Sequence, residues 1–147
     1  MHEDIKKQLE TFNQQVKDLT GIYRHAASQC GVSENEFWVW YTLLMSEDEY
    51  SQQDICEMWS LPKQTINSVI THLREKGFLS LEVVPGTRNR KIIRLSERGK
   101  DFGEKIVTRI YEAEQRTLAK LTVHEREQCV VLMEKYVSTF REELNGK

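Results

Sequence analysis

Residues 51–99 read SQQDICEMWSLPKQTINSVITHLREKGFLSLEVVPGTRNRKIIRLSERG, and this stretch decides the fold. Its opening Ser-Gln-Gln-Asp is a helix start signal, and a short helix is predicted over residues 52–59. Ile55, Met58 and Trp59 form its predicted apolar face. Pro62 ends the break that follows, because proline is excluded from a helix interior but tolerated in a first turn. The sequence therefore predicts two helices joined by a three-residue turn, the second beginning near Lys63.

This second helix has two unlike faces. Ile66, Val69, Ile70 and Leu73 recur at helical spacing and predict a buried side. The other side carries short or amide-bearing groups that donate and accept hydrogen bonds, without long acidic side chains that would repel phosphate. These residues are Gln64, Thr65, Asn67, Ser68, Thr71 and His72.

Residues 78–95 change to an alternating period and predict a β-hairpin. Pro85 and Gly86 suit the two central positions of a type II turn. The tip and the returning arm are cationic, with Arg88, Asn89, Arg90 and Lys91 in sequence. A basic hairpin directly after a two-helix turn is typical of a wing.

Upstream, the chain begins with a long amphipathic helix. Its apolar stripe runs through Ile5, Leu9, Phe12, Val16, Leu19, Tyr23 and Ala26. About 28 helical residues span roughly 42 Å, which is longer than one small domain needs. Part of the stripe is therefore expected to meet another chain, the alternative being that it packs only on its own.

Cap signals separate this helix from the next one. Gly31 is expected to close the first helix in a left-handed conformation, and Ser33 with Glu36 forms a predicted capping box. The second helix runs to about Met45 and is rich in aromatic residues, which favours a core or interface role.

Downstream, a helix opens at Ser96 and is expected to run to about Leu121. Thr122 and Glu125 form another capping box. The last helix carries an apolar stripe, made of Val130, Met133, Val137, Phe140 and Leu144.

Charge is distributed unevenly along the 147 residues, whose net charge is −2. Residues 62–94 hold seven Lys or Arg against two Glu. A local basic surface on an acidic chain indicates a polyanionic partner at one face, although a solvated charged face has the same composition.

Several classes of protein are disfavoured. No run of 18 apolar residues and no secretory leader is visible, so neither a membrane span nor export is expected and the cytoplasm is the expected location. The three cysteines and four histidines lack metal-ligand spacing, and no cofactor or metal is predicted. No nucleophile, base and orienter pattern or phosphate loop indicates an enzyme.

Residues 51–99 resemble the winged helix-turn-helix core of the MarR (multiple antibiotic resistance regulator) family, and the flanking helices extend that resemblance over the whole chain. It implies a mainly α fold with a small β-hairpin wing, between long N- and C-terminal dimerisation helices. Residues 1–32 and 101–147 would form the dimerisation region, and residues 33–100 the DNA-binding region. The apolar positions of the implied dimer interface are Ile5, Leu9, Phe12, Val16, Val130, Val137, Phe140 and Leu144.

Carried over by position, the resemblance implies DNA contacts from the second helix of the turn and from the wing. The helix residues are Lys63, Gln64, Thr65, Asn67, Ser68 and Thr71, and the wing residues are Thr87, Arg88, Asn89, Arg90 and Lys91. On geometric grounds Gln64 and Asn67 suit adenine. The family commonly has Asp-x-Arg near the wing tip, where this chain has Thr87 and Asn89. Arg88 or Arg90 is therefore expected to enter the minor groove.

The expected function is that of a homodimeric, sequence-specific regulator of transcription on a pseudo-palindromic operator, a repressor released by a small lipophilic or phenolic effector. A candidate effector pocket consists of Tyr23, Trp38, Tyr41 and Ile110, for which core packing is the alternative. A second possibility is redox sensing through Cys30, expected to be the most exposed thiol because it ends a helix. A third is a winged-helix module that binds a protein and no DNA.

Overall fold

The computed structural model describes residues 2–146, which contain six helices and one antiparallel hairpin. The elements in chain order are α1 (His2–Gln29), α2 (Glu34–Met45), α3 (Gln52–Trp59), α4 (Lys63–Glu75), β1 (Leu79–Val83), β2 (Lys91–Leu95), α5 (Glu97–Ala119) and α6 (Val123–Asn145). The chain forms two compact units, one ending at Thr108 and the other beginning at Arg109. The predicted order of helices and hairpin is confirmed.

The core of the first unit is built around Trp40 on α2, which has no exposed surface. Its ring centroid lies 5.9 Å from that of Phe78 and 5.6 Å from that of Phe102. Its indole N–H donates to Glu36 Oε2 at 3.0 Å, which satisfies the one polar atom that would otherwise be buried at a cost. Helix α4 adds the buried side chains of its predicted inner face, Ile66, Ile70 and Leu73.

The C-terminus of α1 and the N-terminus of α2 match the predicted cap signals in part. Gly31 has φ +76°, and its N–H donates to the carbonyl of Ser28, so the predicted left-handed cap is confirmed. Ser33 Oγ accepts from the Glu36 N–H at 3.1 Å. The reciprocal half of that predicted capping box is wrong, because the Glu36 carboxylate instead accepts from the indole of buried Trp40.

The two-helix turn forms as predicted, with one difference in α3. Ser60 adopts φ 50°, and the N–H of Leu61 donates to the Cys56 carbonyl, which closes α3 before the turn. Met58 was expected on the buried face of α3 but is 51% exposed, whereas Cys56 is buried. The buried residues of α3 are Ile55 and Cys56, which lie about 100° apart around the helix. The buried face is therefore turned toward Cys56, and Met58 lies outside it.

The hairpin pairs β1 with β2 in a register that runs from Leu79 opposite Leu95 to Val83 opposite Lys91. Gly86 has φ +81°, which is the conformation that the third position of a type II turn requires. The Thr87 N–H completes the turn by donating to the Val84 carbonyl at 3.3 Å. The predicted hairpin and its turn are confirmed.

Two glycines allow α5 to approach the rest of the first unit closely. A Cβ atom at Gly99 would overlap the backbone carbonyl of Phe78, and one at Gly103 would lie 2.5 Å from the Trp40 ring. Phe78 also accepts, through its carbonyl, the N–H of Ser96 just before α5. Backbone cannot yield as a flexible side chain can, so Gly99 sets how near α5 comes to the base of the hairpin.

None of the helices within residues 2–146 combines the length and apolar character needed to cross a bilayer. Among the same residues, no three His, Cys, Asp or Glu side chains lie together as metal ligands would.

Replacing Gly99 with alanine is expected to lower the free energy of unfolding by about 1–3 kcal/mol or more, because the new methyl group overlaps backbone. Urea unfolding followed by circular dichroism measures the change. Gly21→Ala is the matched control, since no atom lies within 4 Å of its added Cβ. As a helix-interior substitution it should stabilise the chain by up to about 1 kcal/mol. Equal losses in both variants would contradict the proposed overlap.

Candidate nucleic-acid interface

The outer face of α4 is the polar face predicted from sequence. All but one of the predicted DNA-facing residues of this helix are exposed, namely Lys63, Gln64, Asn67, Ser68 and Thr71. Thr65 is half-buried, because it lies next to the buried Ile66 at the edge of the face. Since the inner face of α4 is anchored in the core, its outer face is held at a defined orientation.

Two side chains on this face are already hydrogen-bonded. Ser68 Oγ donates to the Gln64 carbonyl at 3.0 Å, which is a bond within the helix. Asn67 Oδ1 accepts from Gln52 Nε2 at 3.2 Å, and this bond joins α4 to the first turn of α3. Fewer hydrogen-bond donors and acceptors on this face are therefore free than its sequence indicates.

The wing presents all five of its predicted residues, 87–91, at the surface. Thr87 stands where the resembled family commonly has Asp, and its Oγ1 donates to the Val84 carbonyl at 2.7 Å. Thr87 therefore helps to close the turn. At the position of the missing Asp, this chain therefore has a threonine whose side chain is bonded to the local backbone.

Arg90 does not extend freely from the wing. Its Nη2 lies 2.8 Å from Asp54 Oδ2, and its Nη1 lies 3.4 Å from Asp54 Oδ1, so the guanidinium grips the carboxylate with two nitrogens. The same carboxylate accepts the Ser51 N–H at 2.8 Å and so completes the capping box of α3. Asp54 thus fastens the wing to the start of α3, a role that its sequence signal as a capping residue does not indicate.

These bonds also change the electrostatics. The hydrogen bond from Arg90, followed by that from the Ser51 backbone, lowers the pKa of Asp54 below its ordinary value of 3.8. The hydrogen bonds that Arg90 donates to Asp54 raise the pKa of Arg90. Both groups are charged at neutral pH, and the positive charge of Arg90 is largely compensated.

Arg94, on β2, is compensated in the same way. Its guanidinium lies 2.8 Å from Glu82 and 3.2 Å from Glu49. By contrast, within residues 2–146 the side chains of Lys63, Arg88 and Lys91 form no hydrogen bond or ion pair. The basic segment therefore divides into cations that hold the fold together and cations that are available at the surface.

Three of the four residues of the predicted effector pocket meet in the first unit. The ring centroid of Trp38 lies 4.7 Å from that of Tyr23 and 5.4 Å from that of Tyr41. Trp59, which the sequence did not single out for this cluster, stacks on Trp38 at 4.5 Å. Ile110 belongs to the second unit.

The cysteines differ from expectation. Cys129 on α6 is the exposed thiol, Cys30 is half-buried and Cys56 is buried. The expectation that Cys30 would be the most exposed is wrong, because the cap at Gly31 folds the chain back over the end of α1.

One of three comparisons with known proteins identifies the fold. No family profile matches the sequence, and the search of curated proteins finds no match. Solved structures do match. NMB1585, a MarR family regulator from Neisseria meningitidis, has a TM-score of 0.76 and 23% identity over 93% of this chain and 95% of that one.

MepR from Staphylococcus aureus is similar as well. Its DNA-binding conformation matches with a TM-score of 0.76 and 19% identity over 90% of this chain and 98% of that one. Its complex with DNA matches with a TM-score of 0.69 and 20% identity over 89% and 96%. The chain therefore has the winged helix-turn-helix fold of the MarR family regulators, and the resemblance drawn from residues 51–99 is confirmed for the fold.

Removing Arg90 or Asp54 is expected to lower the free energy of unfolding at neutral pH. The double variant should lose less than the sum of the two single losses, because the two side chains stabilise each other. Urea unfolding of Arg90→Ala, Asp54→Asn and the double variant measures this coupling. Arg88→Ala, two residues away and without a partner among residues 2–146, should unfold as the wild type does.

The coupling is also expected to depend on pH in one direction. Folding lowers the pKa of Asp54, so its stabilising contribution is present above the ordinary value of 3.8 and is lost as the pH falls through the folded value. The same unfolding series, extended to pH values well below 3.8, should show the coupling shrinking. A coupling that stayed constant would mean that the carboxylate charge plays no part.

Proposed function

We propose that this protein is a DNA-binding transcription regulator of the MarR family that reads duplex DNA with α4 and grips it with the wing. The observation that carries the proposal is the fastening of the wing to the start of α3 by Arg90 and Asp54, since the neighbouring Gln52 of α3 donates a hydrogen bond to Asn67 on the polar face of α4. The fastened wing also carries the exposed cations Arg88 and Lys91. Major-groove base edges are read by such polar side chains, while neighbouring cations bind phosphates or the minor groove. A neighbour in fold, MepR, has been solved as a DNA complex.

Within the wing, we assign different roles to the two arginines. Arg88 is unpaired among residues 2–146 and enters the minor groove, where a narrow groove concentrates negative potential. Arg90 positions the wing through Asp54. The ion pair of Arg90 with Asp54 supports this choice of Arg88 over Arg90.

Arg88→Ala is expected to weaken binding to the regulated promoter and to reduce the slope of log affinity against log salt by about 1, because one cation fewer displaces counterions. Fluorescence anisotropy over a range of salt concentrations measures both quantities. The promoter can be found by footprinting the DNA upstream of the gene that encodes this protein. Gln53→Ala, an exposed neutral change on α3, is the control. The proposal is overturned if binding does not depend on salt and is unaffected by the joint loss of Arg88 and Arg90.

We further propose that the protein acts as a homodimer. On α1, Ile5, Leu9 and Val16 are about half exposed in the single chain, and Phe12 is half-buried. On α6, the exposed apolar residues include Val130, Val137, Phe140 and Leu144. Apolar faces of this extent on two helices are typical of surfaces that another chain covers. A pseudo-palindromic operator would follow, since a two-fold dimer presents its reading helices twice.

Val137→Glu is expected to shift the chain from twice its mass of 17.4 kDa toward the monomer, because a charge is placed on the apolar stripe of α6. Light scattering coupled to size-exclusion chromatography measures the mass. Gln128→Glu adds the same charge on the opposite side of α6 and should leave the dimer intact. A wild-type chain that is monomeric at micromolar concentration would overturn the dimer proposal.

Finally, we propose that the regulator is a repressor released by a small lipophilic or phenolic effector, and that it is no enzyme. The aromatic cluster of Tyr23, Trp38, Tyr41 and Trp59 supports the effector, because aromatic side chains commonly line sites for flat apolar ligands. Such a ligand would lower the affinity for DNA in the same anisotropy measurement.

A further inference from the structure

A hydrogen bond between two amides links the first turn of α3 to the outer face of α4. Gln52 Nε2 donates to Asn67 Oδ1 at 3.2 Å. Gln52 is half-buried, and the capping box of Ser51 and Asp54 fixes the backbone from which it extends. Asn67 itself is an exposed residue of the polar face.

This bond gives the Asn67 amide a direction. An asparagine reads adenine by accepting from N6 with its oxygen while its nitrogen donates to N7, so both ends of the amide must face the same base. Here the oxygen end accepts from Gln52, whose NH₂ group therefore competes with adenine N6 for that oxygen. Within residues 2–146 the nitrogen end, with its two hydrogens, donates no hydrogen bond.

We propose that Gln52 is a specificity-determining residue that acts through Asn67, making Asn67 a donor to guanine and disfavouring adenine. Guanine offers two acceptors, O6 and N7, on its major-groove edge, which suits an amide that presents only its NH₂ group. This inference rests on the proposed DNA-binding function and replaces the expectation from sequence that Asn67 suits adenine. Gln52 is a positioning residue, since it selects the base without touching it.

Selection from a randomised duplex library, followed by affinity measurements on matched duplexes that differ at one base pair, tests the proposal. The wild type should prefer guanine over adenine by about fivefold or more at one position of each half-site. Asn67→Ala should abolish the preference there and nowhere else. Gln52→Ala should lose that preference and bind the adenine site at least as well as the guanine site, because the amide can then turn.

Gln53→Ala is the matched control. Gln53 neighbours Gln52, has the same side chain and donates to Glu57 within α3, so its loss should leave the base preference unchanged. A merely structural role of Gln52 would weaken binding to all duplexes alike, and that result overturns the inference.

The inference is also overturned if Gln52→Ala keeps the wild-type preference, or if the base position that depends on Asn67 already favours adenine in the wild type. In either case a sequence is still enriched, so the proposed DNA-binding function stands. If the wild type enriches no sequence from the library, the proposed function fails and this inference fails with it.

Discussion

The burial of Trp40 is the constraint on which the rest of the first unit depends. Its ring is covered by Phe78 from the start of the hairpin and by Phe102 from α5, and its indole N–H requires the Glu36 carboxylate. Losing a buried aromatic residue of this size typically costs about 3–5 kcal/mol. Because α4 packs on the same core through Ile66 and Ile70, its polar outer face is carried on a fixed base.

Around this apolar centre lies a thin layer of charged and polar bonds that decides what the surface can do. Individually such exposed bonds contribute little to stability. Their importance is geometric, since Asp54 holds Arg90, and Glu82 with Glu49 holds Arg94. The cations that remain unpaired within residues 2–146, including Arg88, are then the ones that can meet a polyanion.

Much of the architecture was predictable because its signals are local. The turn at Pro85 and Gly86, the cap at Gly31 and the break before Pro62 each depend on the backbone preferences of one or two residues. The inner face of α4 follows from helical periodicity. The errors arose where a side chain with a good local role had a stronger partner elsewhere, as when Glu36 serves Trp40 instead of the cap of α2.

The sequence by itself determined the order of the elements, the polar face of α4 and the basic character of the wing, because helical and strand periods, caps and turns are written within a few neighbouring residues. Only the tertiary structure decided which of these polar groups are free. Asp54 meets Arg90 across 36 positions of the chain, and Gln52 meets Asn67 across 15. Such pairs depend on how α3, α4 and the hairpin pack together. The spacing of residues along the sequence does not show which side chains this packing brings within hydrogen-bond distance.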